Sequence, residues 1–394
     1  MKILLNHTMN RTVRMLDGQW QGLRLASDGY AYFFGGSHSK GVGAPFFRYD
    51  PRVPDESGIE VLALDMSRVC GEDPAKVPTQ GKVHSDILEH KGWLYFGTHL
   101  SEYTPEGAAR YTGAHLVGYE LATRKFRDFG VIHPKYTNYS GIGLDAAHGR
   151  IYFYTTPWST GDGPHLHRID IATGENRDLG MVVPWVNREE HGQHCGFLFV
   201  DRRGDCWFTL RGEKALFVAR EASGRIERHE NALPGDNTQW YCMRPMDGDR
   251  AMVVFEDGFH VFDASRFDGT PRAFERFKRI DTPGVTWCYM ALDPKRIYWN
   301  SRSQHRLPET NQYDVRVYST SWANPAEQVD HGPIRDAAGR APWFIGDLAS
   351  DGKGRLYSCG RWYILPEEEA TIGVNRHGLK CAVFFTVMDV SGGI

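Results

Sequence analysis

"GKVHSDILEHKGWLYFGTH", residues 81–99, is a strand, a polar turn at Lys91 and Gly92, and a second strand, with a histidine near each end at His84 and His99. Apolar and polar side chains alternating on both sides of a glycine turn are the period-two pattern of an antiparallel hairpin. The unit returns along the chain as "ASDGYAYFFGG", "DAAHGRIYFYTT", "VDRRGDCWFTLR", "RPMDGDRAMVVF", "LDPKRIYWNSR" and "SDGKGRLYSCGR". Its turn glycines are Gly29, Gly92, Gly149, Gly204, Gly248 and Gly354, with Lys295 in that place in the sixth copy. Three residues later come Tyr32, Tyr95, Tyr152, Trp207, Ala251, Tyr298 and Tyr357, a place filled so regularly that it reads as packing between repeats.

Behind most hairpins follows a second strand pair, as in "FFRYDPR", "LVGYELATRKF", "LHRIDIATGENRDLG", "LFVAREASGRIERH", "FHVFDASRFDGTPRAF" and "VRVYSTSWANPAEQV". Four strands per repeat and seven repeats predict an all-β fold, a seven-bladed β-propeller of four-stranded antiparallel blades, as one domain over residues 1–394. Composition agrees, since 13% aromatic residues with 43 Gly and 20 Pro suit short strands and tight turns better than a helical bundle.

A formal charge of −3 offers no basic field for a phosphate backbone, so nucleic acid is not an expected partner. The seven cysteines are scattered without a CxxC pair, which argues against a disulfide framework and for a reducing compartment. The start, "MKILLNHTMNRTVRM", has only three consecutive apolar residues, and no later run approaches a membrane span. The expectation is a cytoplasmic protein, or the mature form of a secreted one, with no membrane partner.

Residues facing one another across a hairpin share a constant index sum. By that rule His84 and His99 stand opposite, their Cβ atoms about 4.5–5.5 Å apart. Equivalent places in other copies hold Gln21, Trp240 and Trp287 on one side and Arg211, Arg302 and Arg361 on the other. Guanidinium forks match carboxylates and sugar rings pack on aromatic faces, so an acidic oligo- or polysaccharide is the expected ligand. The plainer reading is that strand-end arginines are solvated and the histidines are satisfied by carbonyls.

"KVHSDILEHKGWLYFGTH", "DGYAYFFGGSHSKGVGAPFFRYDP" and "GRIYFYTTPWSTGDGPHLHRIDIATG" resemble the seven-bladed propeller polysaccharide lyases, the ulvan lyases and the related enzymes that cleave rhamnosyl-glucuronate linkages. The resemblance implies that two histidines, a tyrosine and an arginine carry an elimination. It maps the histidines on His84 and His99, the arginine on Arg168 and the tyrosine on Tyr154 or Tyr152. His38 of "GGSHS" matches a further histidine of the rhamnosyl-glucuronate enzymes.

The chemistry asks for these types. β-Elimination from a uronate removes the weakly acidic proton on C5, which requires an arginine or a metal to neutralise the developing enolate. A base takes that proton and an acid delivers one to the departing O4, tasks open to neutral His or to Tyr. No cofactor is required. "HGQHCGFLFVDRRGDCW" supplies His191, His194 and Cys206 as ligands for a structural zinc, against the plainer reading of loop histidines and buried thiols. Two rivals stand beside the lyase. A glycoside hydrolase needs two flanking carboxylic acids, and no acidic pair falls at these positions. A non-catalytic scaffold of the WD-repeat type would carry a regular GH…WD signature, which the blades lack.

Overall fold

In a computed structural model, which describes residues 1–158, 161–186, 193–211, 213–235, 243–255, 257–280, 289–306, 311–372 and 381–393, every one of these hairpins opens a four-stranded antiparallel sheet. There are seven such sheets, and the fold is a seven-bladed β-propeller. The six turn glycines all take positive φ, from 66° at Gly149 to 93° at Gly354, a conformation that side-chain-bearing residues rarely adopt. In the sixth copy a side chain makes the turn instead, because the Asp293 carboxylate accepts from the backbone N–H groups of Lys295 and Arg296, both at 2.8 Å. The repeated position three residues on is no more than 3% exposed in every copy, so Tyr152 is a packing residue like its equivalents.

The chain divides into two compact units. The first comprises Met1–Ile87, Leu100–Tyr103 and Thr282–Ile394. One of its sheets runs Leu23–Leu25, Ala31–Phe34, Phe46–Tyr49 and Ile59–Ala63. A second runs Met290–Leu292, Arg296–Arg306, Tyr313–Ser321 and Val329–Pro333. The third joins both ends of the chain. Pro342–Ser350, Arg355–Tyr363 and Cys381–Asp389 are completed by Lys2–Thr8, which pairs antiparallel with Cys381–Asp389. Phe33 stacks on Phe385 at 4.1 Å in the core beneath, with Leu5, Met9, Phe47 and Tyr357.

The second unit comprises Leu88–His99 and Thr104–Asp281 and holds the other four sheets. Leu88–His90 pairs with Trp93–Gly97 as Leu88↔Tyr95, Glu89↔Leu94 and His90↔Trp93, the index sum read from the sequence. The next sheet runs Ile142–Asp145, Arg150–Thr155, His165–Asp170 and Asn176–Met181. Its neighbours in the chain begin at Cys195–Val200 and Met243–Pro245. Among the described residues three apolar clusters fill this unit, one around Trp207 and Phe262, one around Tyr152, Tyr154 and Phe208, and one around Tyr95, Leu116 and Phe153. Among the described residues the longest α-helix is Pro105–Arg110, and no helix is long and apolar enough to cross a membrane.

Candidate functional site

In the first unit the segment ahead of Leu23–Leu25 lies against the one that follows Ala31–Phe34. Gly36 donates its N–H to the Gly18 carbonyl at 2.8 Å and accepts from Asp17 N–H at 2.9 Å. No side chain fits here, since a Cβ on Gly36 would lie 2.9 Å from the Gly18 oxygen and 3.0 Å from the Lys82 Cγ. This contact delivers Asp17 and Trp20 from one segment and His38 from the other to the same place.

Trp20 is the hub of that place. His84 stacks on it at 4.9 Å and 17°, and His38 meets it edge-on at 4.9 Å and 83°. Two cations approach the same ring, Lys82 Nζ at 5.6 Å and Arg361 Cζ at 5.8 Å from its centroid. Lys82 Nζ also lies 3.5 Å over the ring of Tyr103, and Arg361 Cζ lies 5.4 Å and 5.3 Å from the rings of Trp343 and Phe344. Arg361 Nε donates to the Asp17 carbonyl, which fixes the guanidinium. Trp20, His38, Lys82, His84 and Arg361 each expose less than a tenth of their surface, while Tyr103 and Trp343 are half-buried at the edge.

Asp17 Oδ1 lies 2.9 Å from His38 Nδ1. Burial pushes the His38 imidazolium down to about 3, helped by Lys82 and Arg361 and opposed by Asp17, so His38 is neutral near pH 7. Burial works to raise the Asp17 carboxyl, but His38, Arg361 and Lys82 outweigh it and hold the group ionised. A neutral imidazole beside a carboxylate keeps its proton on Nδ1, toward that carboxylate. The lone pair is then on Nε2.

The histidine and arginine identified from sequence alone, His38 and Arg361, therefore come together with His84. Asp17, Trp20, Lys82 and Tyr103 are additions. Lys82 was open to discovery, because it lies two residues before His84 in an extended segment and so shares its side. Trp20 is the neighbour of Gln21, the residue the repeat alignment selected.

The second unit places its candidates differently. His99 Nδ1 lies 2.7 Å from the Asn138 carbonyl and 2.5 Å from Thr137 Oγ1, and its ring meets Tyr139 edge-on at 4.9 Å. Arg168, expected to clamp a carboxylate at the His99 end of its blade, is at the other end. It pairs in register with Tyr152 and donates to the Glu221 carbonyl at 2.8 Å, beside the carboxylate that also holds Arg150. Thr137, which touches His99, bridges Thr156. Four strand residues separate Thr156 from Tyr152, about 13 Å at the usual rise.

Tyr154 is also corrected: it is fully buried in an apolar cluster, its hydroxyl donates to the Gln193 carbonyl, and burial pushes its ionisation well up. Tyr152 donates to the Gly204 carbonyl at 2.8 Å and is likewise pushed up by burial. The Arg211 N–H donates to the His194 carbonyl at 2.9 Å. Arg302 pairs with Val315 through its backbone. Trp240, Trp287 and His191 lie outside the described residues.

Of the zinc ligands expected from the sequence, Cys206 and His194 lie among the described residues and His191 does not. Cys206 is sealed among Tyr152, Tyr154, Leu198 and Phe208, where burial pushes its thiol ionisation well up. His194 stacks on Tyr139 at 3.5 Å. Side chains able to hold a metal gather elsewhere in this unit, at His133, His165, His167 and Asp178.

No protein-family model matches the chain, and no curated protein matches it. Solved structures do. An inactive virginiamycin B lyase from Staphylococcus aureus with quinupristin is 13% identical with a TM-score of 0.54, covering 97% of this chain and 98% of that one. A streptogramin B lyase is 14% identical with a TM-score of 0.53, over 97% and 96%. The Cps50 (Swd1) β-propeller domain of Myceliophteria thermophila is 12% identical with a TM-score of 0.54, over 96% and 100%. Lyases and a non-enzymatically named propeller thus match equally well, and what this chain shares with them is the seven-bladed β-propeller fold.

Proposed function

We propose that the chain is a carbon–oxygen lyase that cleaves a uronate-containing oligo- or polysaccharide by β-elimination, with its site on Trp20. The observation that carries this reading is the meeting of two cations, Lys82 and Arg361, with a carboxylate-oriented neutral imidazole, His38, on one aromatic hub. Arg361 and Lys82 neutralise the uronate carboxylate and the enolate that develops from it. His38 Nε2 takes the C5 proton. The electron pair forms the C4–C5 double bond as the C4–O4 bond breaks, and Tyr103 delivers a proton to O4, while Trp343 offers a ring face to the sugar. Two solved structures that share the fold are named lyases, which is compatible with the coarser reading.

Incubation with uronate oligosaccharides tests it. The expected result is the ultraviolet band of a 4,5-unsaturated uronate, lost in His38→Ala and Arg361→Ala proteins that keep the wild-type melting transition. Reducing sugar without that band would indicate a hydrolase instead. A structural role for the cluster is the second reading, favoured by its burial; on that reading no uronate yields the band and both variants melt early.

A further inference from the structure

We propose that His133, His165, His167 and Asp178 form a binding site for one divalent transition-metal ion of the zinc class, separate from the Trp20 cluster. His133 lies near the end of Phe126–Pro134, in one sheet of the second unit. His165 and His167 alternate on His165–Asp170 of the next sheet, so they share a side, and Asp178 is the register partner of His167. One donor atom from each of the four lies within 4.8 Å of all the others.

The short separations are those of a coordination sphere. With metal–nitrogen bonds of about 2.0–2.1 Å, two ligands of a tetrahedral ion sit about 3.3 Å apart. His133 Nδ1 and His167 Nε2 are 3.2 Å apart, and His165 Nδ1 is 2.9 Å from an Asp178 carboxylate oxygen. The other ring nitrogens of His165 and His167 are held by outer partners, as those of metal-ligating histidines usually are. His167 Nδ1 is 3.1 Å from Asn176 Oδ1, which leaves Nε2 as the lone-pair nitrogen. His165 Nε2 is 3.2 Å from Asp162 Oδ2, which leaves Nδ1, and Asp162 is itself fixed by the Tyr136 hydroxyl at 2.5 Å. His165 and His167 are buried, whereas Asp178 is exposed and its carboxylate accepts from the Gly180 N–H at 2.8 Å.

Three imidazoles and one carboxylate are borderline donors suited to Zn²⁺, and four protein ligands leave no open position. The ion is therefore structural. It clips Phe126–Pro134 to His165–Asp170, two strands of adjacent sheets that share no backbone ladder.

The test uses the full chain, stripped with a chelator and titrated with Zn²⁺ by calorimetry and with Co²⁺ by visible spectroscopy. The expected result is one equivalent per chain, a four-coordinate cobalt spectrum, and a melting temperature that rises with zinc. Asp178→Ala, at an exposed side chain, should weaken binding at least about tenfold and remove the thermal shift. His133→Ala should do the same, while Cys206→Ala should leave uptake intact. Absence of stoichiometric uptake overturns the site, and so does uptake that is unchanged in both Asp178→Ala and His133→Ala.

Discussion

Replacing His38 by Gln should flatten the dependence of stability on acid. The His38 imidazolium is pushed down to about 3 by burial, against an ordinary value of 6.5, while the unfolded chain titrates normally. Between those values the unfolded state binds the extra proton, so this residue's share of stability is present above about pH 6.5 and is lost as the pH falls toward 3. Asp17, held below its ordinary range, acts in the same direction only at the acid end. With 1.36 kcal/mol per unit, the His38 share lost between pH 7 and pH 4.5 comes to about 2.5 kcal/mol. His331, lowered to about 4 by burial, adds its own slope, which is why the measurement is a difference between two proteins. Glutamine keeps a donor for Asp17 and removes the titration. Urea unfolding of wild type and His38→Gln at pH 7.0, 6.0, 5.0 and 4.5, to be compared pH by pH, reads the quantity directly. Parallel slopes would show that His38 already carries its proton in the fold, and the assignment of its Nε2 as a base would fall with them.

Three further outcomes follow from the geometry. Arg361→Lys keeps a charge but loses the guanidinium fork anchored to the Asp17 carbonyl, and should lower the rate of unsaturated-product formation at least about a hundredfold, read as kcat against KM. Arg168→Ala should leave that rate within about twofold while lowering the urea midpoint, because its partner is Glu221; a large loss of rate would return Arg168 to the site. Leu5→Ala, in the strand that completes the last sheet, should cost about 2–5 kcal/mol in chemical denaturation, and a change below 1 kcal/mol would mean that this strand contributes little.

The hairpins were legible because each is local: a positive-φ glycine, flanking alternation and a packing aromatic lie within a dozen residues. The outer strand of the last sheet was not, since "KILLNHT" carries no turn that points to a partner hundreds of residues away. In the site, Arg361 follows from its repeat position and His38 from the resemblance to the rhamnosyl-glucuronate enzymes. Trp20 was missed through a slip of one residue onto Gln21, and in an extended segment one residue changes the side. Arg168 was mapped through the resemblance alone, which carries no strand boundary. The strand begins at His165, and those three residues carry the guanidinium away from His99.

The pairing of Lys2–Thr8 with Cys381–Asp389 also has a bearing on biogenesis. Thr8 and Val383 are 375 positions apart and in hydrogen-bond contact, so Lys2–Thr8 waits for a partner made 375 residues later. At ribosomal speeds of about 5–20 residues per second that interval is roughly 20–75 s. Throughout it an edge strand with unsatisfied amides and carbonyls stands open to mispairing, which makes this segment of the nascent polypeptide a natural client for chaperones.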